Sequence, residues 1–486
     1  MNPCRIAVGD NFSILIYMNT LKHKNKPQMS SIHESLNNLL TKFSQTNNLK
    51  SIKQLHTHLL KTGIIFISYT LQTNLTYSYT ICSQQNTIKT LTKLFNSSII
   101  THPVPFNSTI SCFVRNGYPF VALKTLSFMH VNGVNIDTYA LCSSLTACCL
   151  TKSGFGKQVH THVVKSGWGC SVFLGSALVD FYAKSMGVGD ARKVFDEMPV
   201  RNTVCANALL SGYADAKMWV EGIELFRSMP GLNLWYDNWT FTVALSVCCG
   251  LYAIESGSEI HAKVIRTVHD PGTDVFLLSS LIDLYGKCGM VVKAKQVFNM
   301  ARFADVVLWT SMLGVYGRNG RHEEVIRLFK QMLIKKIRPD GVAFVTVISA
   351  CGHTGQVDLG AEYFESMARD FGLTPSPEHY GCLVDLFCRA GELEKAWNVV
   401  KKMPNEVSAS VTVWGALLNA CCDHGNVDLG KFAARRALEL DPVNTGIYVL
   451  LSNLFAKCGL WDEIERLREL MHDKGIKKDI GCSWTA

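Results

Sequence analysis

Residues 306–340 read Val306-Val-Leu-Trp-Thr-Ser-Met-Leu-Gly-Val-Tyr-Gly-Arg-Asn-Gly320-Arg-His-Glu-Glu-Val-Ile-Arg-Leu-Phe-Lys-Gln-Met-Leu-Ile-Lys-Lys-Ile-Arg-Pro-Asp340. The pattern predicts a first helix from Leu308 to about Tyr316, stopped at Asn319-Gly320. A second runs from Glu323 to about Ile334, with Val325, Leu328, Phe329 and Met332 on one face at i, i+3, i+4, i+7 spacing. Lys335 and Lys336 sit near its C-terminus, where the helix dipole favours cations. One such hairpin cannot bury its apolar stripe alone, but a stack of copies can.

Copies are present. Gly175-Ser-Ala-Leu-Val-Asp-Phe-Tyr-Ala-Lys184, Leu278-Ser-Ser-Leu-Ile-Asp-Leu-Tyr-Gly-Lys287 and Tyr380-Gly-Cys-Leu-Val-Asp-Leu-Phe-Cys-Arg389 recur at intervals of 103 and 102 residues. The superperiod subdivides through Asn107-Ser-Thr-Ile, Asn207-Ala-Leu-Leu and Thr310-Ser-Met-Leu, each 30 residues before Asp137, Asp237 or Asp340. This frames 35-residue units at 103–137, 203–237 and 306–340, variable units at 138–171, 238–274 and 341–376, and short units at 172–202, 275–305 and 377–412. Segment 31–102 is a degenerate version, with Ser51-Ile-Lys-Gln-Leu-His56 closing a variable unit and an insertion before His102. The expected fold is all-α: a superhelical α-α solenoid of helix-turn-helix repeats.

Composition narrows the class. Of 486 residues, 48% are hydrophobic and 18% charged, which excludes a disordered polar chain. No apolar run is long enough to predict a membrane-spanning helix. The net charge of +9 is concentrated in residues 1–100, which hold ten Lys/Arg against Asp10 and Glu34. That acid-poor start suggests an organelle transit peptide over about residues 1–30, a plain disordered terminus being the alternative. The 18 cysteines include three adjacent pairs and no C-x-x-C, so they read as small buried residues rather than a metal site or disulfide framework.

Val-x-x-Asn-x-Leu-Leu-x-Gly-Tyr, a second helix ending Phe-x-x-Met, and Pro-Asp together resemble the plant pentatricopeptide repeat. The alternation of unit lengths is similar to its P-L-S subclass. The tail 413–486, with Val413-Trp-Gly-Ala-Leu-Leu-Asn-Ala-Cys421, Leu438-Glu-Leu-Asp-Pro442 and Gly481-Cys-Ser-Trp484, resembles that family's tetratricopeptide-like E-type extension. The resemblance spans roughly residues 33–486.

Two positions carry the expected function. Position five is Asn107, Ser176, Asn207, Ser279 or Thr310, and the last position is Asp137, Asn202, Asp237, Asp305 or Asp340. On residue type alone, the fifth could decorate an exposed helix or bond a backbone carbonyl, and the last could cap the next helix. The resemblance implies instead that each pair reads one base of single-stranded RNA, and that Val104, Phe173, Val204, Phe276 and Val307 wedge between bases. Its pairing rule implies U for Asn107/Asp137, A for Ser176/Asn202, U for Asn207/Asp237, and G for Ser279/Asp305 and Thr310/Asp340. The site would read U-x-A-U-x-G-G, with Cys142, Thr242, Val345 and Gly381 uninformative.

The deaminase domain called DYW, which ends many members of this subclass, needs His-x-Glu and Pro-Cys-x-x-Cys. Here His322-Glu323-Glu324 matches by spacing but opens a repeat helix, and no phosphate-binding or hydrolase motif appears. His160 and His261 recur at equivalent positions and read as packing residues. The expectation is a non-enzymatic RNA adaptor for C-to-U editing, without metal or cofactor. It would act in the mitochondrion or alternatively the chloroplast, with a DYW-type deaminase or other editing-complex protein recruited through 413–486. RNA stabilisation, processing or splicing is the alternative within RNA binding, and a protein-interaction scaffold the alternative outside it.

Overall fold

The computed structural model describes residues 29–46, 48–62, 69–82, 103–403 and 410–476. The transit-peptide reading of residues 1–30, the insertion before His102 and the Gly481–Trp484 motif lie essentially outside the described residues. Among those described, every element is helical, and the chain divides into two compact units at Trp235 and Tyr236.

The first unit holds α1 (Met29–Gln45), α2 (Leu49–Thr62), α3 (Tyr69–Cys82), α4 (Val104–Arg115), α5 (Pro119–Val131), α6 (Thr138–Thr151), α7 (Phe155–Lys165), α8 (Val172–Ser185), α9 (Val188–Glu197), α10 (Thr203–Asp215) and α11 (Trp219–Ser228). The second unit begins with α12 (Asn238–Leu251), α13 (Ile254–Thr267), α14 (Val275–Lys287), α15 (Val291–Met300), α16 (Val306–Arg318), α17 (His322–Ile334), α18 (Gly341–Thr354) and α19 (Val357–Arg369). It continues with α20 (Pro377–Arg389), α21 (Leu393–Lys402), α22 (Val411–His424), α23 (Val427–Leu440), α24 (Thr445–Lys457) and α25 (Trp461–Asp473). Within each unit the first helix of a hairpin packs on its own second helix and on the first helix of the next hairpin. The result is an α-solenoid.

The burial pattern shows why two helices of one hairpin differ. In α16, Leu308, Trp309, Met312, Leu313, Val315 and Tyr316 are all buried, covering more than one face. In α17 the buried set is Val325, Ile326, Leu328, Phe329 and Met332, a single stripe. A first helix is sandwiched between neighbours, whereas a second helix keeps one face in water. The stop at Asn319-Gly320 is a left-handed turn, with φ +69° at Gly320. The α1–α3 region belongs to the same stack: α3 packs on both α1 and α4, and buries Leu71, Leu75 and Tyr79.

Variable units dock on the short units that follow by two devices. The first is a histidine–tyrosine hydrogen bond: His56 Nδ1 to Tyr79 OH at 3.1 Å, His160 to Tyr182 at 2.9 Å and His261 to Tyr285 at 2.8 Å. Burial lowers all three imidazoles, His56 to about 4, so they are neutral packing residues. The second is a glycine early in the second helix. A Cβ on Gly156 would lie 2.1 Å from the Phe181 ring, and one on Gly257 2.4 Å from Leu284. The tail repeats this device, where a Cβ on Gly430 would lie 2.3 Å from Leu454.

Candidate nucleic-acid interface

The last residue of each reading unit caps the next helix. Asp137 Oδ1 accepts from Ala140 N at 3.0 Å, Asn202 Oδ1 from Cys205 N at 2.9 Å, and Asp237 Oδ1 from Thr240 N at 2.7 Å. Asp305 Oδ1 accepts from Leu308 N at 3.1 Å, and Asp340 Oδ1 from Ala343 N at 2.8 Å. Capping therefore applies at all five positions.

Capping uses only part of each side chain. Asn107 Nδ2 donates to Asp137 Oδ2 at 2.7 Å while Oδ1 of the same carboxylate serves the cap. The contact to a carboxylate fixes which end of the amide is nitrogen. Asn107 Oδ1 is left buried without a hydrogen-bond partner. Thr310 Oγ1 donates to Asp340 Oδ1 at 3.2 Å, and Ser176 Oγ to Asn202 Oδ1 at 3.4 Å. The Ser176 hydroxyl also donates to Val172 O at 2.8 Å, so its bond to Asn202 is the weaker half of a fork. Asn207 is buried at 6% exposure, which corrects the idea that this position merely decorates a helix.

One expected pair is not joined. Ser279 Oγ bonds Ser311 Oγ at 3.0 Å, and Asp305 engages the backbone of Leu308. A serine hydroxyl is one bond from Cβ and has short reach, so a nearer partner wins. At the uninformative positions, burial and the nearby Asp137 push the Cys142 thiol up to about 12, and Thr242 Oγ1 donates to Asn238 O at 2.8 Å.

The five second-position side chains stand in solvent despite being apolar. Val104 is 42% exposed, Phe173 55%, Val204 60%, Phe276 69% and Val307 39%. Tyr139, Trp239 and Val342 occupy the same place in the variable units and are equally exposed, residues that the sequence reading passed over. Their signal was available, since each lies two residues after its unit boundary. A further row was also missed: Arg115, Lys184, Arg318 and Arg389 lie at the far end of the first helices. Three pair within their own helix, with Ser111 at 2.9 Å, Asp180 at 2.7 Å and Asp385 at 2.6 Å, and Arg318 reaches Asp283 of α14 at 2.8 Å. Exposed ion pairs add little stability, but the three carboxylates temper the basic field, whereas the neutral Ser111 leaves the Arg115 charge unbalanced.

His322, the first residue of α17, stacks on His353 with ring centroids 4.1 Å apart, and the exposed Glu323 pairs with Arg327 at 3.7 Å. Among the described residues no group of three or more His, Cys, Asp or Glu could hold a metal ion.

A pentatricopeptide repeat-containing protein of Arabidopsis thaliana is 35% identical over 92% of this chain and 74% of its own length. The chain belongs to the pentatricopeptide repeat family. The profile described as PPR repeat matches residues 104–134, 204–234, 276–303 and 342–370, and a second of that description matches 371–404. The PPR repeat family profile matches 304–353, and the E motif profile 424–486. A second Arabidopsis thaliana pentatricopeptide repeat-containing protein, with "mitochondrial" in its name, is 32% identical over 90% of this chain and 69% of its own length. Other relatives are longer, and the chain spans about half of them, 54%, 48% and 47% in three cases. The fold matches the crystal structure of the pentatricopeptide repeat protein PPR10 from maize, at 15% identity and a TM-score of 0.65 over 97% of this chain and 72% of that one. PPR10 in complex with an 18-nt psaJ RNA element matches with a TM-score of 0.57 at 13% identity, over 85% of this chain and 72% of that one.

Proposed function

We propose that this pentatricopeptide repeat chain binds single-stranded RNA sequence-specifically and selects a site in an organelle transcript for C-to-U editing by a deaminase recruited in trans. One observation carries the RNA reading: an exposed apolar side chain recurs three residues before a polar side chain, which in four of the five reading units is buried or bonded to the capping residue. Hydrophobic side chains left in water at one place per repeat ask for a flat apolar occupant, and a nucleobase is one. The Asn107 amide, held by Asp137, presents a donor and an unsatisfied acceptor, the set that uracil N3–H and its neighbouring carbonyl complement. Thr310 offers a hydroxyl instead, which suits a different base edge.

The E motif supports the editing assignment, since it resembles the extension of editing-type members, with the deaminase or another editing-complex protein engaged through 413–486. The basic, acid-poor N-terminus and the mitochondrial relative favour the mitochondrion. The test is affinity for U-x-A-U-x-G-G RNA against a scrambled strand, with moderate salt dependence because residues 101–486 are nearly neutral. Equal affinity for both strands would remove the modular reading. Organelle transcripts compared with and without the gene, for editing and abundance together, separate editing from stabilisation. The purified chain alone should deaminate no cytidine.

A further inference from the structure

The variable unit 238–274 is uninformative by the family's fifth-position rule, and its Thr242 hydroxyl donates to the backbone of its own helix. Its last residue nevertheless repeats the geometry of the Asn107–Asp137 pair. Asp274 Oδ1 accepts from Leu277 N at 3.0 Å, capping α14, and Asp274 Oδ2 accepts from Asn238 Nδ2 at 2.7 Å. The corresponding values at Asp137 are 3.0 Å and 2.7 Å. The amide comes from the first position of the unit, one helical turn earlier, and Asn238 is exposed. The other two variable units have no such pair: they open on Thr138 and Gly341 and close on Ser171 and Ser376.

Two exposed aromatic residues flank this bond. Trp239 follows Asn238 and is 58% exposed; Phe276 lies two residues after Asp274 and is 69% exposed. The equivalent residues one superperiod earlier, Tyr139 and Phe173, have ring centroids 5.9 Å apart, so these two places are neighbours in the fold. Among the described residues, no ring contact is formed by Trp239 or Phe276. A large indole left in water beside an oriented amide is the donor–acceptor and stacking set of a base site.

We propose that the unit 238–274 binds the fifth base of the RNA, which stacks on Trp239 while Asn238, oriented by Asp274, meets its polar edge. The occupant follows from continuity with the row Phe276, Val307 and Val342 in the same unit of the structure. The inference rests on the RNA reading above and makes one of its blank positions informative.

The experiment uses the full chain and the RNA U-x-A-U-x-G-G, intact or with an abasic fifth nucleotide. The abasic strand should bind about tenfold more weakly, within the range of an aromatic–base stack. Trp239→Ala should bind both strands equally, at the weaker level, with its melting temperature retained. Asn238→Ala should flatten discrimination among the four bases at that nucleotide without altering affinity for the abasic strand. The proposal is overturned if the wild-type chain separates matched from scrambled RNA yet ignores the missing fifth base; the general reading then survives. Trp239→Ala that leaves RNA binding intact but abolishes binding of an editing partner also overturns it, reassigning the indole to a protein contact. Loss of matched-strand preference in the wild type overturns both.

Discussion

The repeats over 103–376 and the tail over 411–473 are built from the same hairpin, yet they present different surfaces. In the repeats, Asp137 caps one helix and also holds Asn107, 30 residues away. In the tail, Asn444 caps α24 through Ile447 N at 3.3 Å and donates to Asp441 at 2.9 Å, three residues away. The exposed apolar row likewise stops after Val342: Glu378 stands at that place in the next unit. The two regions share a fold, but the exposed apolar row is present in only one, which separates the scaffold from the surface proposed to carry function.

The largest expected effects fall on what the regions share. Gly156→Ala and Gly430→Ala each force a methyl into a fully buried neighbour, Phe181 or Leu454. Both should lose about 1–3 kcal/mol in denaturant titrations, the usual cost of overpacking, with base preference unchanged. Neutral substitutions at either site would show that the close approach does not set the packing there.

Next come substitutions that should split the regions. Asn107→Ala should weaken matched RNA by about 1–3 kcal/mol, one base-edge contact. Asn444→Ala should cost about 1 kcal/mol of stability, a lost cap, and leave RNA affinity alone. Equal RNA loss from both would erase the contrast.

Finer still are changes of preference. Asn207→Ser should move the fourth base from U toward G with the other slots unchanged. Because Asn207 is buried, its melting temperature will also fall, so preference rather than stability is the readout. Asp237→Asn keeps a good cap on α12 and should shift the same slot from U toward C at constant melting temperature. Preferences indifferent to both would leave a solenoid without a code.

The smallest effect is acid sensitivity. His56, His160 and His261 are held below the ordinary imidazole value by burial, so the folded chain binds fewer protons than the unfolded one. Their stabilisation is complete above the unfolded value of about 6.5 and is lost as pH falls toward the folded values. Hydrogen exchange at pH 5 against pH 7 should loosen α2–α3, α7–α8 and α13–α14 before α22–α25. Uniform loosening would place the acid-sensitive groups elsewhere.

Much of this was legible in the residues. The unit frame and the paired helices came from spacing, the second-position residues were singled out only through the family resemblance, and His160 and His261 came from recurrence. The variable units' Tyr139, Trp239 and Val342 were equally legible by register, each being the second residue of its unit. The Gly156 and Gly430 contacts were not readable, because a glycine in a helix has many causes and only its neighbour reveals this one.

By itself the sequence determined the repeat, because periodic burial is a local property that apolar spacing encodes residue by residue. Only the tertiary structure decided partners. Asn107 reaches Asp137 and Thr310 reaches Asp340, while Ser279 turns to Ser311 and Asn238 claims Asp274. Those choices depend on how helices far apart in the chain are set against one another. Hydrogen bonds need close, aligned partners, and residue identity does not record that placement.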